Sequence, residues 1–359
     1  MTHLNRTIVY RKPGRFAGWP ANYGLWHWGE EAVSIFVSGW VGADTGLHPR
    51  DRSRPFIPVV ARSRDGGQTW SHETFTGRIP GGSQTLSGDE HVGPELQIGP
   101  HLDDRDFVRL SRPIDFTDPE TIVLVGRTGI VAGAESWFYV SSDRAHTWDG
   151  PYPIPSFGQV AIAARTDIVP LGPGKALFQL TTGRPDGSEG RILSTWTGDG
   201  GLTFEPRGWI GDTPAGYAIM PSSVMINDGT VLCARRCAGE QANWIDLYAS
   251  TDSGYRWQLV GRPVPDTGNG GNPPALVRLT DDRLVLLYGS RAEPYGLRAV
   301  ISDDGGDSWS STVLTDDIAT RDLGYPRAIA MDDATVLAVY YANSATRSER
   351  YIEAVRWRP

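Results

Sequence analysis

The sequence predicts an all-β protein: a ring of six four-stranded antiparallel sheets. Three observations carry this. An octapeptide recurs five times, alternating apolar runs lead into its copies, and no long segment keeps apolar residues at helical spacing. The copies are SRDGGQTW (Ser63 to Trp70), SSDRAHTW (Ser141 to Trp148), TGDGGLTF (Thr197 to Phe204), STDSGYRW (Ser250 to Trp257) and SDDGGDSW (Ser302 to Trp309). Their central aspartates, Asp65, Asp143, Asp199, Asp252 and Asp304, are spaced by 78, 56, 53 and 52 residues.

Each element follows from its residues. Runs such as FIPVVARS, SWFYVSS, WIDLYAS and LRAVIS alternate with period two and end in Asp and Gly, so each is a strand entering a tight turn. The Asp carboxylate can cap that turn, and Gly supplies the positive φ that a hairpin needs. The closing aromatic starts the returning strand and packs under the turn. One four-stranded sheet of a radial repeat takes roughly 40–50 residues. Five latched units and one unlatched closing unit give six sheets, at about 60 residues each over 359. The long first interval holds an insertion, GGSQTLSGDEHVGPELQIGPHLDD, rich in Gly and acidic residues. TIVYR near the N-terminus and RYIEAVRW near the C-terminus read as strands that complete one sheet together, closing the ring and removing its edges. Residues 1–359 are expected to form a single domain, because closed β architectures of this size are routinely one.

Composition narrows the function. Thirteen Trp, 13 Tyr and 10 Phe supply cores between sheets. A net charge of −8 argues against a nucleic-acid partner, while local arginine clusters leave room for a small anion. Cys233 and Cys237 lie on one predicted strand about 13 Å apart, too far for a disulfide, and read as ordinary thiols. MTHLNRTIVYRK lacks the apolar core of a secretory segment, and no apolar run reaches membrane-spanning length. A cytoplasmic location without a membrane partner is therefore expected. The seven histidines show no zinc spacing, and neither a nucleophile elbow nor a phosphate loop occurs. No cofactor or metal is expected.

Five such boxes on a six-sheet count resemble the sialidase (neuraminidase) superfamily, whose six-bladed β-propellers carry Asp-boxes. The resemblance covers most of the chain and speaks for fold, not activity, since fold does not imply function. The boxes lie at the outer rim and read as stabilising turns. Chemistry belongs to the inner strands around the axis, whose heads contact the sugar in this family. Six segments stand there: GRFAGWPA (14–21), IDFTDPET (114–121), AIAARTDI (161–168), GYAIMPSS (216–223), GNPPALVR (271–278) and LGYPRAIA (323–330).

The resemblance implies site residues one at a time. Sialidases clamp the substrate carboxylate with three arginines, a task suited to a planar guanidinium fork. GRFAGWP makes Arg15 the first analogue, although the family's Ile-Pro is missing. TVLCARR makes Arg235 the second, and LYGSRAEPYGLRAVIS makes Arg291, in preference to Arg298, the third. HPRDRSRPF places Asp51 fourteen residues before Asp65, where the family carries its acid/base; the alternative is an Asp paired with its flanking arginines. LGYPRAIA makes Tyr325 the nucleophile, with Arg327 assisting electrostatically; the alternative is a ring that stacks on the sugar.

Two departures stand out. GYAIMPSSV has no acid where the family carries the glutamate partner of its tyrosine, and the downstream Tyr-Glu is Tyr340-Tyr341. Glu240 and Glu293 are candidate substitutes. In addition, Asp118, Glu120, Arg165 and Asp167 stand at axial heads, as substrate contacts or as salt-bridged staples. The expectation is an exo-glycosidase for a terminal α-linked acidic sugar, sialic acid or an analogue, acting on a small carbohydrate or glycoconjugate. Alternatives are a glycosidase or lyase for another sugar such as a uronic acid, and a non-catalytic sugar- or protein-binding propeller.

Overall fold

A computed structural model describes residues 4–43, 46–86, 88–227 and 229–359. The chain opens with β1 (Asn5–Tyr10), β2 (Arg15–Gly18), β3 (Gly24–Trp28), β4 (Glu31–Trp40), β5 (Ile57–Ser63) and β6 (Ser71–Thr74). A long connection leads to β7 (Ile122–Arg127), β8 (Ser136–Ser141) and β9 (Asp149–Pro153). Next come β10 (Ile168–Gly172), β11 (Lys175–Gly183), β12 (Glu189–Thr197) and β13 (Glu205–Trp209), then β14 (Tyr217–Met225), β15 (Val231–Ala238), β16 (Asn243–Ser250) and β17 (Gln258–Val264). The last are β18 (Ala275–Arg278), β19 (Leu284–Ser290), β20 (Gly296–Ser302), β21 (Ser310–Val313), β22 (Gly324–Ala330), β23 (Val336–Ser344) and β24 (Arg347–Trp357).

Three groups, β10–β13, β14–β17 and β18–β21, are four-stranded sheets in sequence order. As expected, the ends meet: β1 pairs antiparallel with β24, from Asn5 opposite Arg356 to Tyr10 opposite Ile352. Two features differ from expectation. A parallel bridge, Phe16 opposite Arg350, joins β2 to β24, so the first and last groups form one nine-stranded sheet. The group β7–β9 has three strands, because 114–121 is not a strand. There Asp115 accepts the Thr117 N–H (2.9 Å) and Asp118 the Glu120 N–H (2.9 Å). Such side-chain turns compete with a β-ladder for the backbone.

Apolar side chains from neighbouring sheets fill the spaces between them. Leu232, Ala234, Ile245 and Leu247 pack with Leu276, Leu286 and Val300, for example. Cys233 and Cys237 are buried in β15 as thiols.

The repeated octapeptides latch the outer hairpins. Ser63 Oγ donates to Asp65 Oδ1 (2.8 Å) and accepts from Gly67 N–H (2.8 Å). Asp65 also accepts from the N–H (2.8 Å) and hydroxyl (2.6 Å) of Thr69, and Trp70 Nε1 donates to the Gly67 carbonyl (3.1 Å). The carboxylate pattern returns at Asp143, Asp199 and Asp304. In the fourth copy Arg256 lacks the hydroxyl, and its N–H alone reaches Asp252 (2.9 Å). Neighbouring boxes are tied by charge. The buried Arg62 pairs with Glu31 (2.8 Å) and Glu73 (2.8 Å), and Arg144 of the second box pairs with Glu31 (3.2 Å) and Glu120 (2.6 Å).

Candidate active site

Four of the inner segments share one layout. A polar or aromatic group stands near each head: Trp19, Arg165, Tyr217 and Tyr325. Ala21, Ile219 and Met220 follow as a small apolar cluster against Tyr217 and Tyr325. Beyond them, Gly24–His27, Thr166–Pro170, Ser222–Met225 and Arg327–Ala330 line a cavity of about 780 Å3. The chain direction thus separates a charged head region from this cavity, with the apolar cluster between them.

Several heads are strained. Trp19 (φ 58°), His48 (φ 55°), Met220 (φ 53°) and Tyr325 (φ 49°) hold left-handed backbone that non-glycine residues seldom adopt. The β14–β15 register breaks between Ile219 and Ser222, and the β22–β23 register between Gly324 and Arg327. Bulges of this kind re-aim side chains that strict alternation would place elsewhere.

Tyr325 lies between two arginines. Arg236 Nη1 donates to its phenol oxygen (3.2 Å). Arg291 stands with its guanidinium carbon 5.6 Å from the ring centre. Both arginines donate to the Gly270 carbonyl, and Arg291 also to Tyr341 Oη (3.3 Å). Burial alone would push the Tyr325 phenol up. Arg236 and Arg291, with Arg165 behind them, outweigh it and hold the pKa below its ordinary value near 10.

A second group adjoins the first. Asp322, fully buried, meets His48 Nδ1 (2.7 Å), Tyr341 Oη (2.7 Å) and Arg350 Nε (2.7 Å). Although burial opposes ionisation, His48 and Arg350 keep its carboxyl well below the usual range. Burial, helped by Arg291 and Arg50, pushes His48 below the ordinary imidazole value despite the opposing pull of Asp322. A proton on His48 Nδ1 is directed at Asp322.

Across the site, Glu90 pairs with Arg127 (2.9 Å) and Glu189 with Arg165 (2.6 Å). Arg165 Nε reaches Asn22 Oδ1 (3.3 Å), and Arg50 Nη2 donates to the Glu90 carbonyl (2.7 Å). His91 stacks flat on Trp19, with centroids 3.8 Å apart, and burial keeps it neutral. Arg50, Arg127, Arg165, Arg236 and Arg291 outnumber Glu90, Glu189 and Asp322, so this region favours an anionic ligand.

Residues 122–338 match the BNR repeat-like domain family. The chain belongs to that family. Its fold is that of solved sialidases, among other structures. A Dyadobacter fermentans protein of unknown function is 20% identical, with 99% of each chain covered and a TM-score of 0.71. A Hadza microbial sialidase is 16% identical (TM-score 0.62), with 95% of this chain and 65% of that one covered. A Trypanosoma rangeli sialidase mutant displaying trans-sialidase activity is 12% identical (TM-score 0.60), with 98% and 58% covered. The chain thus spans about two thirds of the first of these sialidases and less of the second. At these identities the likeness concerns the fold. No curated protein matches the chain.

This BNR-repeat chain brings Tyr325, Arg291 and Arg165 to one region. Other expected residues lie elsewhere. Arg15 bonds the Ser38 hydroxyl (3.2 Å) and carbonyl (3.0 Å) and covers the Trp40 ring. Asp51 is partly exposed; Ser53 donates to it (2.6 Å), Arg54 pairs with it (3.3 Å), and its pKa is lowered. A general acid needs the opposite shift. Arg235 points to the far side of β15, donating to the Ile210 (2.6 Å) and Asp212 (2.8 Å) carbonyls and to Tyr248 Oη (2.9 Å). Its neighbour Arg236 takes the site position, because adjacent residues of a strand face opposite ways. Asp118 caps its own turn, and Glu120 is held by Arg144. Asp167 and Arg327 line the cavity beyond the apolar cluster, with Asp167 accepting from Ser223 N–H (2.9 Å) and Oγ (2.7 Å). Glu240 is exposed, and Glu293 accepts from Tyr295 (3.1 Å).

Sequence reasoning missed His48, Arg50, Glu90, His91, Arg127, Glu189, Arg236 and Asp322. Arg236 had a signal: in LCARRC both arginines sit on one strand, so one of them must face inward. Glu90 and His91 were concealed in the Gly-rich insertion, where no periodicity marks a face.

Proposed function

We propose that this protein is a carbohydrate-active enzyme that cleaves a terminal acidic sugar, sialic acid or an analogue. Its sheets would form six blades of a ring closed by β1 and β24. The observation that carries the reading is Tyr325, a phenol lowered in pKa by Arg236 and Arg291 in a region of excess positive charge. The two guanidinium groups suit a substrate carboxylate, and a phenolate suits attack beside it, because a carboxylate nucleophile would be repelled. In this reading Tyr325 attacks the anomeric carbon, the leaving group departs with the bonding pair, and water then displaces the tyrosine with net retention. A passive binding propeller would have no need of a phenol activated in this way.

One observation favours a second reading. Met220 occupies the segment where the resemblance calls for a glutamate, with its sulfur 3.6 Å from Arg236 Nη1. Without that acid, Tyr325 could instead abstract the proton next to a uronic acid carboxylate, and elimination would follow. Incubation with sialosides and uronic-acid glycosides, followed by proton NMR of the first product, tests both. A retained anomer supports hydrolysis through Tyr325, and an unsaturated sugar supports the lyase. No cleavage of any acidic glycoside would sink both readings.

A further inference from the structure

The site needs a group to protonate the departing oxygen, and among the described residues the carboxylates Asp51, Glu90 and Glu189 have other partners. Asp51 is tied into its own exposed turn, while Glu90 and Glu189 are each paired with an arginine. The connection from β4 to β5 brings in a different residue. His48 lies with its ring 6.3 Å from that of Tyr325, 5.2 Å from Trp19 and 6.2 Å from Tyr341. We propose that His48 is the proton-transfer residue of this site, oriented by Asp322. The assignment rests on the glycosidase reading above.

Three observations support it. Nδ1 of His48 is held by Asp322 (2.7 Å), which fixes the proton on Nδ1 and leaves the Nε2 lone pair available. Among the described residues no hydrogen bond engages Nε2, and the side chain keeps 17% exposure. Asp322 cannot swing away, because Arg350 Nε and Tyr341 Oη grip it at 2.7 Å each. Among the described residues, the charged and titratable groups around the imidazole are Asp322, Arg291, Arg50, Tyr325, Tyr341 and His91. The two arginines and burial favour the neutral ring, and Asp322 favours the charged one.

The chemistry balances. Tyr325 phenolate forms a bond to the anomeric carbon as the glycosidic C–O bond breaks. The broken bond's pair goes to the leaving oxygen, which takes the Nε2 proton of imidazolium His48. Water then attacks the same carbon, its proton passes to neutral Nε2, and the pair of the tyrosyl bond returns to Tyr325. The net reaction adds one water across the glycosidic bond. Phenolate with imidazolium carries as many protons as phenol with imidazole. The active form is therefore a constant fraction of the singly protonated pair between its two apparent pKa values.

The test compares wild type with His48→Gln, and with His48→Asn should the first not fold. Each is given acidic glycosides with a 4-nitrophenol or a simple alcohol leaving group. An alcohol needs a proton to leave and nitrophenol does not. The expected loss is roughly 1000-fold for the alcohol and under about tenfold for nitrophenol. The plateau in kcat/KM should become a single rise with pH, because only phenolate then remains to be formed. Equal losses on both substrates, or an unchanged pH profile, would overturn the role of His48 and leave the glycosidase reading standing. A wild type inactive on every acidic glycoside would overturn that reading and the role together.

Discussion

Arg236 Nη1 stands 3.2 Å from the phenol oxygen of Tyr325, while Arg235, one residue earlier, turns its back on the site and lies 3.7 Å from Asp246. One strand thus carries two arginines with separate duties, and substitution should separate them. Arg236→Ala should weaken binding of an acidic sugar by about 30-fold or more, since a charge-assisted contact is worth roughly 2–4 kcal/mol. Arg235→Ala should leave affinity intact and lower stability by about 1–3 kcal/mol, because buried carbonyls and Tyr248 lose their donor. Titration calorimetry and urea unfolding on both variants check this; a reversed pattern refutes the assignment.

Tyr325→Phe should abolish turnover by hydrolysis while binding survives, because only the oxygen is removed and the ring keeps its packing. In wild type the Tyr325 phenol should titrate below 10, and in Arg236→Ala it should move up, as burial is then opposed by one arginine fewer. NMR of carbon-labelled tyrosine reports both. A pKa in wild type at or above 10 would remove the physical basis for phenolate attack.

The boxes were legible in the sequence because their structure is local. The side-chain bonds of Ser63, Asp65, Thr69 and Trp70 all close within the octapeptide, so residue types dictate the turn. The pairing of β1 with β24 was legible for a related reason: two alternating runs at the chain ends had to cover an edge. The site was legible only in part. Left-handed φ at Trp19, Met220 and Tyr325 breaks the alternation that assigns faces, and a slip of one residue reverses every side chain. Trp19 thus takes the place at the site that was expected of Arg15, and Arg236 that of Arg235. His48 lies in a connection without periodicity, three residues ahead of the Asp51 that the resemblance proposed.

The boxes should behave as acid-sensitive latches. Hydrogen bonds from Ser308 and Ser302 hold the Asp304 carboxyl at about 2, below its unfolded value near 4. A lowered carboxyl stabilises fully above the unfolded pKa and loses its contribution as pH falls through the folded one. The loss for Asp304 should therefore fall between about pH 4 and 2. Asp304→Asn should start less stable at pH 6 and show a shallower fall of melting temperature across that window. A fall as steep as that of wild type would mean that the acid sensitivity lies elsewhere.

Asp322 offers the sharpest test of the link between folding and the site. It is buried with Arg350 Nε at 2.7 Å, so Asp322→Asn leaves a buried guanidinium without its counter-charge. Breaking such a pair costs about 3–5 kcal/mol, against roughly 1 kcal/mol for an exposed one. The same change removes the ion pair and hydrogen bond with which Asp322 raises the His48 pKa, leaving burial, Arg291 and Arg50 to lower it further. The signs agree. Asp322 and His48 both have folded pKa values below their unfolded ones, so each stabilises the protein at neutral pH and loses that contribution as pH falls. The loss begins below about pH 6.5 for His48 and below about pH 4 for Asp322. In Asp322→Asn the His48 titration, followed by NMR of its ring carbons, should move to lower pH, and the acid limb of any activity should move with it. A fixed limb alongside a shifted His48 would show that another group controls proton transfer. An unshifted His48 would show that Asp322 does not hold it in solution.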